Sequence, residues 1–332
     1  MSSVTVYGAY GHTGRFVVAE LARRGFTPVV SGRDEHRLRA LGYEARPAAV
    51  DDPAALDRAL AGAAAVINCA GPFAVTAGPV VEAAVRAGIP YVDVAAEIEA
   101  NVDTFARFGD RTDTTIVPAM AFFGGLGDLL ATAAVGDWAG ADEAHVAYGL
   151  SSWHPTNGTR VAGVVSRERR GGRRVRFTGG RLEYHDDAPR TVTWNFPEPR
   201  GVVAEFSMAD VVTIPSHLAI PSVCSYLTVE AVRDLTASDT PTPGVEQTFV
   251  VDVVVRRGDA ERRATATGRD IYAISAPLAV EAVERILTGR TRAVGVASAG
   301  AMFEPVDFLR ALTGVTVGID GYDPPVHTCE RS

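Results

Sequence analysis

Short apolar runs alternate with amphipathic stretches over the first 118 residues. Val4-Thr5-Val6-Tyr7 is a β-type run that stops at Gly8. From Arg15 to Arg24, Val17 and Val18 stand one turn before Leu21 and Ala22, the spacing of a helix. Gly25 ends it, and Thr27–Arg33 reads as a second strand. Asp34 caps a short helix through Ala40. Residues 45–50 form a weaker strand, Pro53 opens a helix through Leu60, and 64–70 is apolar on both faces, as a central parallel strand is. A helix over 80–87, a strand over 91–94, a helix over 98–108 and a strand over 115–118 continue the alternation. Such a run predicts a parallel sheet with right-handed crossovers and helices on both faces.

The pattern changes near Gly124. After a helix over 128–135, short alternating runs dominate, at 144–150, 173–178, 190–194, 201–206 and 247–256, with one helix over 159–169 between them. Gly, Pro and Asp turns join them, which predicts a mostly antiparallel sheet. Helical spacing returns at 276–287 and 304–312. The expected fold is therefore α/β: a Rossmann-type doubly wound sheet over residues 1–125, a second mixed, mostly antiparallel α+β domain over 126–268, and a segment, 269–332, returning to the first domain. Pro241-Thr242-Pro243-Gly244 reads as a loop inside the second domain.

Composition narrows the chemistry. The 332 residues carry 32 basic side chains, every one an arginine, because the chain contains no lysine. That excludes a lysine Schiff base, the lysine of a Walker A loop and a Tyr-x-x-x-Lys acid. A net charge of −8 gives nucleic acid no bulk attraction. No apolar run is long enough for a membrane span, and the start lacks the pattern of a secretory signal. Cys69, Cys224 and Cys329 make neither a disulfide framework nor a zinc site, and no histidine spacing suggests a metal, so a reducing cytoplasm is the expected location.

The strongest motif is Gly8-Ala9-Tyr10-Gly11-His12-Thr13-Gly14, directly after a strand and before a helix. Gly8 permits a tight turn, Gly11 lets backbone amides approach a pyrophosphate, and Gly14 allows close helix–strand packing. Tyr10, His12 and Thr13 complete this dinucleotide loop. The second strand ends Ser31-Gly32-Arg33, where an NAD site needs a carboxylate. A serine hydroxyl and an arginine fork suit a 2′-phosphate, so NADP(H) is the expected cofactor. The alternative is a solvated Arg33 with Asp34 on the ribose. Asp51 or Asp52 would meet the adenine amino group or cap a helix. Asn68, Cys69, Ala70, Gly71, Pro72 and Phe73 end the fourth strand beside the topological switch point, where the nicotinamide ribose would lie. Cys69 has no basic neighbour and reads as a core cysteine.

GAYGHTGR at 8–15, SGRD at 31–34, NCAGPF at 68–73, YVDVAAE at 91–97 and GRDIYAISAPLAVEAVERIL at 268–287 together resemble the saccharopine dehydrogenase-like reductases, which include trans-acting enoyl reductases. The resemblance implies a nicotinamide cofactor in the first domain, a substrate cleft from the second, and hydride transfer involving a C=N or conjugated C=C bond. Two stretches depart from the family: Ala96-Glu97 replaces its Gly-Glu, and of the turn at 121–129 only Asp128-Leu129 is kept. Glu97 would hold a ribose hydroxyl or pair with an arginine.

With lysine absent, the proton donor must be Tyr, His, Asp, Glu or water. His154, in a loop after an apolar strand, and Tyr226 are the catalytic candidates. Asp128 would form a second anion loop with Gly124, Gly125 and Gly127, or cap its helix. The arginines between 167 and 176 would meet an acidic carrier or lie solvated on a hairpin, and Phe122, Phe123 and Trp153 would line an apolar pocket or fill a core. The expected function is an NADPH-dependent biosynthetic reductase of a small or medium organic substrate. The alternatives are a saccharopine-type amino-acid oxidoreductase, which needs a carboxylate-binding arginine such as Arg160, and an NADP(H)-binding sensor without turnover. The second-domain sheet is the candidate face for a homodimer.

Overall fold

The computed structural model describes residues 2–237 and 246–320; the Pro241–Gly244 loop and Cys329 lie outside them. The first sheet follows the alternation in the sequence: β1 (Ser3–Tyr7), α1 (His12–Arg23), β2 (Thr27–Gly32), α2 (Glu35–Arg39), β3 (Glu44–Pro47), α3 (Pro53–Leu60), β4 (Ala65–Asn68), α4 (Phe73–Ala87), β5 (Tyr91–Asp93), α5 (Ile98–Phe108) and β6 (Ile116–Val117). Its six strands run parallel in the order β3-β2-β1-β4-β5-β6. The order reverses between β1 and β4, the switch point of a doubly wound sheet. α4 begins at Phe73, several residues before the helical spacing becomes regular, because Pro72 serves as its N-cap and Pro79 is accommodated inside it.

A π-type turn over Phe122–Leu126 leads out of this sheet into α6 (Gly127–Val135). Next come β7 (Glu143–Leu150), α7 (Asn157–Arg169), β8 (Arg174–Thr178), β9 (Arg181–His185), β10 (Thr191–Asn195), β11 (Pro199–Ala204), α8 (Asp210–Thr213), β12 (Val223–Thr228), α9 (Val229–Thr236), β13 (Thr248–Arg257) and β14 (Ala260–Arg269). Then α10 (Ser275–Leu287), α11 (Ala299–Met302) and α12 (Pro305–Ala311) precede β15 (Val315–Ile319). The second sheet has nine strands in the path β10-β11-β12-β7-β13-β14-β15, with β8 and β9 attached at β12. It is mixed: β12 and β7 are parallel, the other pairs antiparallel. One face packs into the main core through Ala144, Val146, Tyr148 and Leu150 of β7. The other face is covered by the sheet's own curl. Trp194 of β10 lies over Tyr226 with ring centroids 4.9 Å apart, and its indole Nε1–H donates to Asp252 of β13 at 2.8 Å, although β10 and β13 are not sheet neighbours.

α10 packs back on α1. Arg24 pairs with Glu281, with Glu284 at 3.1 Å and with Glu20 at 2.7 Å. One face of the first sheet is thus covered by α1 and α10, whose apolar side chains share a core with Val4, Val6, Ala65 and Ile67. The other is covered by α3 and α4 against Tyr7, Val66 and Tyr91.

Candidate cofactor and active site

The site is built at the carboxyl ends of β1, β2, β4 and β5. Gly8 has φ +83°, and a Cβ there would stand 2.7 Å from the Ala70 amide nitrogen, so only glycine lets the first turn lie against the loop after β4. A Cβ on Gly14 would run into the Gly8 carbonyl oxygen, which explains why helix α1 starts so close to the strand. The turn closes on itself: Gly8 N–H donates to Ser31 O at 2.8 Å and Gly11 N–H to Gly8 O at 2.9 Å. No side chain caps α1. The first amides of the helix, at His12, Thr13 and Gly14, therefore remain as donors backed by the helix dipole, the geometry a pyrophosphate requires.

At the end of β2 the tip is basic. Arg33 is exposed and makes no ion pair among the described residues. Arg37 lies over the Tyr10 ring, 4.3 Å from its centroid. Tyr10 in turn covers Gly32, where a Cβ would sit 2.9 Å from the ring. Asp34, the one nearby carboxylate that would serve NAD, accepts the Arg37 amide at 3.0 Å as the cap of α2. Ser31 is buried, and its hydroxyl donates to the Arg46 carbonyl at 2.8 Å. It therefore supplies backbone acceptors to the glycine turn and not a hydroxyl to the cofactor. Sequence reasoning missed Arg37, although it lies one turn beyond Arg33 on a helix whose start was evident. Asp51 is exposed beyond β3, and Asp52 is the cap of α3, accepting Ala55 N–H at 2.9 Å.

The loop after β4 faces the glycine turn. Asn68 is a bracket: its Oδ1 accepts Ala70 N–H at 3.0 Å and its Nδ2 donates to the Tyr91 hydroxyl at 3.1 Å. Cys69 is held by its amide to Tyr7 O at 2.8 Å, and burial pushes its thiol far above the ordinary range, so it is no nucleophile. Gly71-Pro72 is cis and leads to Phe73, whose N–H donates to Glu97 Oε1 at 3.0 Å. Glu97 thus sits at the start of α4, bridging the ends of β4 and β5. Burial pushes its carboxyl up to about 7, against the pull of the Phe73 amide. Asp93 was not singled out from the sequence. It accepts the Tyr91 hydroxyl at 2.8 Å on Oδ2 and the amides of Ala95 and Ala119 at 3.0 and 2.8 Å on Oδ1, tying β5 to β6.

The turn between β14 and α10 reaches this edge through Tyr272, within the 268–287 stretch quoted above. Its ring meets His12 edge-on at 5.1 Å, and its hydroxyl is bonded to Trp153 Nε1 at 3.0 Å, Thr156 N at 3.2 Å and Thr159 Oγ1 at 2.9 Å. Trp153 is thereby fixed beside Phe123, with Phe122 and Tyr148 completing an aromatic cluster that fills the space between the sheets. His154, next in the chain, is exposed and bonded to nothing among the described residues. Tyr226 lies elsewhere: strand alternation turns it to the far face of the second sheet, where it meets His145 Nδ1 at 2.9 Å and stacks on Trp194, and burial pushes its hydroxyl well above the usual range. This placement separates Tyr226 from the nucleotide loops and corrects its candidacy as the donor at the nicotinamide.

Asp128 is likewise not a cap. Leu126 holds that position, and the Asp128 carboxylate, wholly buried, accepts Gly300 N–H at 2.7 Å and meets His217 Nε2 at 2.8 Å, fastening α6 to the C-terminal segment. Of the arginines between 167 and 176, four are paired internally: Arg169 to Asp103, Arg170 to Glu99, Arg174 to Glu205, and Arg176 to Glu183 and Asp187. Arg160 donates to the carbonyls of Leu235 and Ala237.

Residues 4–116 match the family model described as the saccharopine dehydrogenase NADP binding domain. Among curated proteins, the chain is 32% identical over 142 residues to a probable mitochondrial saccharopine dehydrogenase-like oxidoreductase of Arabidopsis thaliana, covering 36% of this chain and 31% of that one. It is 28% identical over 133 residues to the trans-acting enoyl reductase of Mycobacterium tuberculosis, covering 36% and 32%. The chain thus spans about a third of the length of the curated relatives it matches. The structure of apo saccharopine dehydrogenase (L-Glu forming) from Saccharomyces cerevisiae superposes with a TM-score of 0.64 at 12% identity, over 96% of this chain and 100% of that one, a likeness of fold that includes the second sheet. Residues 4–116 thus match the saccharopine dehydrogenase NADP binding domain, and the chain is similar in fold to the yeast saccharopine dehydrogenase.

Proposed function

We propose that the protein is an NADPH-dependent reductase that delivers hydride to a conjugated C=C or a C=N bond of a small or medium organic substrate. The observation that carries this is the edge just described: an uncapped helix start beyond a glycine turn, with two arginines, Arg33 and Arg37, that make no ion pair among the described residues, at the end of β2. The amides of residues 12–14 bind the pyrophosphate, and the arginines bind the 2′-phosphate through charge-assisted hydrogen bonds. The cofactor, when bound, supplies the hydride. The protein's own work is to orient it against the loops 68–73 and 93–97 and to keep water out with the Phe122–Phe123–Trp153 cluster.

The walls favour a substrate without carboxylates. Buried Asp93, Glu97 and Glu99 line this end of the sheet, Arg170 is committed to Glu99, and Arg160 to backbone carbonyls. Neither arginine is left to hold an amino-acid dicarboxylate. This is the reason to prefer an enoyl or imine acceptor to a saccharopine-type one. The test is a fluorescence titration. NADPH binds more tightly than NADH, and Arg33→Asp reduces that preference by roughly tenfold, the loss of one charged hydrogen bond. Equal affinity of the unmutated protein for both coenzymes would refute the assignment.

A further inference from the structure

A reductase must protonate the atom next to the one that receives hydride, and the edge of the first sheet offers few groups to do it. Asp93 has both oxygens occupied. Cys69 is half-buried, and desolvation pushes its thiol up. The carboxylate of Asp128 is spent on Gly300 and His217, and the hydroxyl of Tyr272 on three partners. His12 belongs to the glycine turn, at the pyrophosphate end, with its ring between Phe16 and Tyr272. Glu97 differs from all of these. Its carboxyl stands between the ends of β4 and β5, and only backbone amides hold it, Phe73 N–H at 3.0 Å the chief among them. No side chain of the described residues bonds to it.

Its electrostatic surroundings are one-sided. On its own elements it faces Asp93 and Glu99, both of which disfavour its charge. At the end of α7, Arg170 is 3.4 Å from Glu99 and paired with it, and Ser166 also donates to Glu99. α8, packed against α5, carries the buried Asp210, whose carboxyl accepts the Tyr148 hydroxyl at 2.7 Å. The first turn of α4 carries no charge. Among the described residues, what favours its carboxylate is backbone amides, Phe73 N–H first, and these do not outweigh burial.

We propose that Glu97 is the acid of this site: it gives its proton to the substrate, and it gives it up because the bound nicotinamide has become a cation. The inference rests on the reductase reading above. The atoms balance: one atom of the double bond takes hydride with its two electrons, the other takes the Glu97 proton, and the carboxylate is reprotonated by water. Oxidised coenzyme therefore favours the carboxylate of Glu97, and reduced coenzyme favours the acid.

The test needs no substrate. Isothermal titration calorimetry at pH 7, run in buffers of different ionisation enthalpy, counts the protons exchanged on binding. Protons linked to the pyrophosphate or the 2′-phosphate are common to both coenzymes, so the difference between them isolates the nicotinamide end. NADP+ is expected to release about half a proton more than NADPH, because a group titrating near 7 is half protonated there. NADP+ affinity is expected to rise with pH up to about 7 and then level off, by about tenfold for each unit of displacement. Glu97→Gln keeps an acceptor for Phe73 N–H and is expected to abolish the difference. Equal proton counts in the unmutated protein, or a difference that survives in Glu97→Gln, would overturn the proposal while leaving the cofactor site intact. No heat with either coenzyme would instead overturn the reductase reading on which it rests.

Discussion

The two sheets use their glycines differently, and the difference shows where function resides. In the first sheet, Gly8, Gly14 and Gly32 let backbone meet backbone or an aromatic ring at the very edge where a ligand is held. In the second, Gly268 does a comparable job away from the nucleotide loops: a Cβ there would lie 2.6 Å from the Phe249 ring and 2.8 Å from Gly314 O. Both are close contacts, but the first group shapes a binding surface and the second closes a core. The parallel sheet gathers its loops at one end, so steric detail becomes binding. The mixed sheet spreads its loops and uses steric detail for packing.

Substitutions can break that contrast. Gly14→Val should cost the most, raising the NADPH dissociation constant by at least about 100-fold, or about 2.7 kcal/mol, as read by fluorescence titration. Gly268→Ala should lower the unfolding midpoint yet leave the affinity of the folded protein unchanged; a loss of affinity would mean that the second sheet shapes the cofactor site directly. Arg37→Ala should weaken NADPH by roughly tenfold and NADH hardly at all, for the loss of one charged contact.

Glu97 gives a subtler comparison. Its carboxyl is raised to about 7, so the folded state favours the protonated form. The stability tied to that proton is present below the ordinary carboxylate range and is lost as pH rises through about 7. Glu97→Gln should therefore raise the melting temperature at pH 8.5 and change it little at pH 5, with each kcal/mol relieved worth roughly 2–4 °C. The smallest effect belongs to Tyr226→Phe. Without its bond to His145 the second sheet should lose about 1 kcal/mol of stability, measured by denaturant unfolding, with NADPH affinity unchanged. A large change in affinity would show that the far face communicates with the nucleotide loops.

What could be read from the sequence divides along the same line. The strands and helices of the first sheet are local patterns, each bounded by its own Gly, Pro or Asp, so the glycine turn and the loop at 68–73 were legible in place. The strand β14, Ala-Glu-Arg-Arg-Ala-Thr-Ala-Thr-Gly-Arg, alternates only alanine with threonine, has no large apolar side chain, and is held by β13, which pairs with it along its whole length. β9 (Arg-Leu-Glu-Tyr-His), β15 (Val-Thr-Val-Gly-Ile) and β12 do carry apolar residues at alternate positions and were passed over because each run is short. Tyr226 was legible as a tyrosine and not as a direction, because which face a strand turns to the nucleotide depends on the register of β12 against β7. Ser31 shows a further limit. Its place after β2 was evident, but its rotamer, aimed at Arg46 O, is set by the neighbouring strand. Arg37 was visible in the sequence; its position over Tyr10 required the fold.

The packing of α10 on α1 has a consequence for how the molecule is made. The face of the first sheet that α1 and α10 share is finished by residues synthesised only after strands β7 to β14 of the second sheet have been made. Until then the newborn glycine turn sits on a half-clad scaffold. A truncated gene product ending near residue 125 would expose that bare flank to aggregation, and a productive minimal version would need the two coding segments spliced together by a short linker, with the intervening sheet left out.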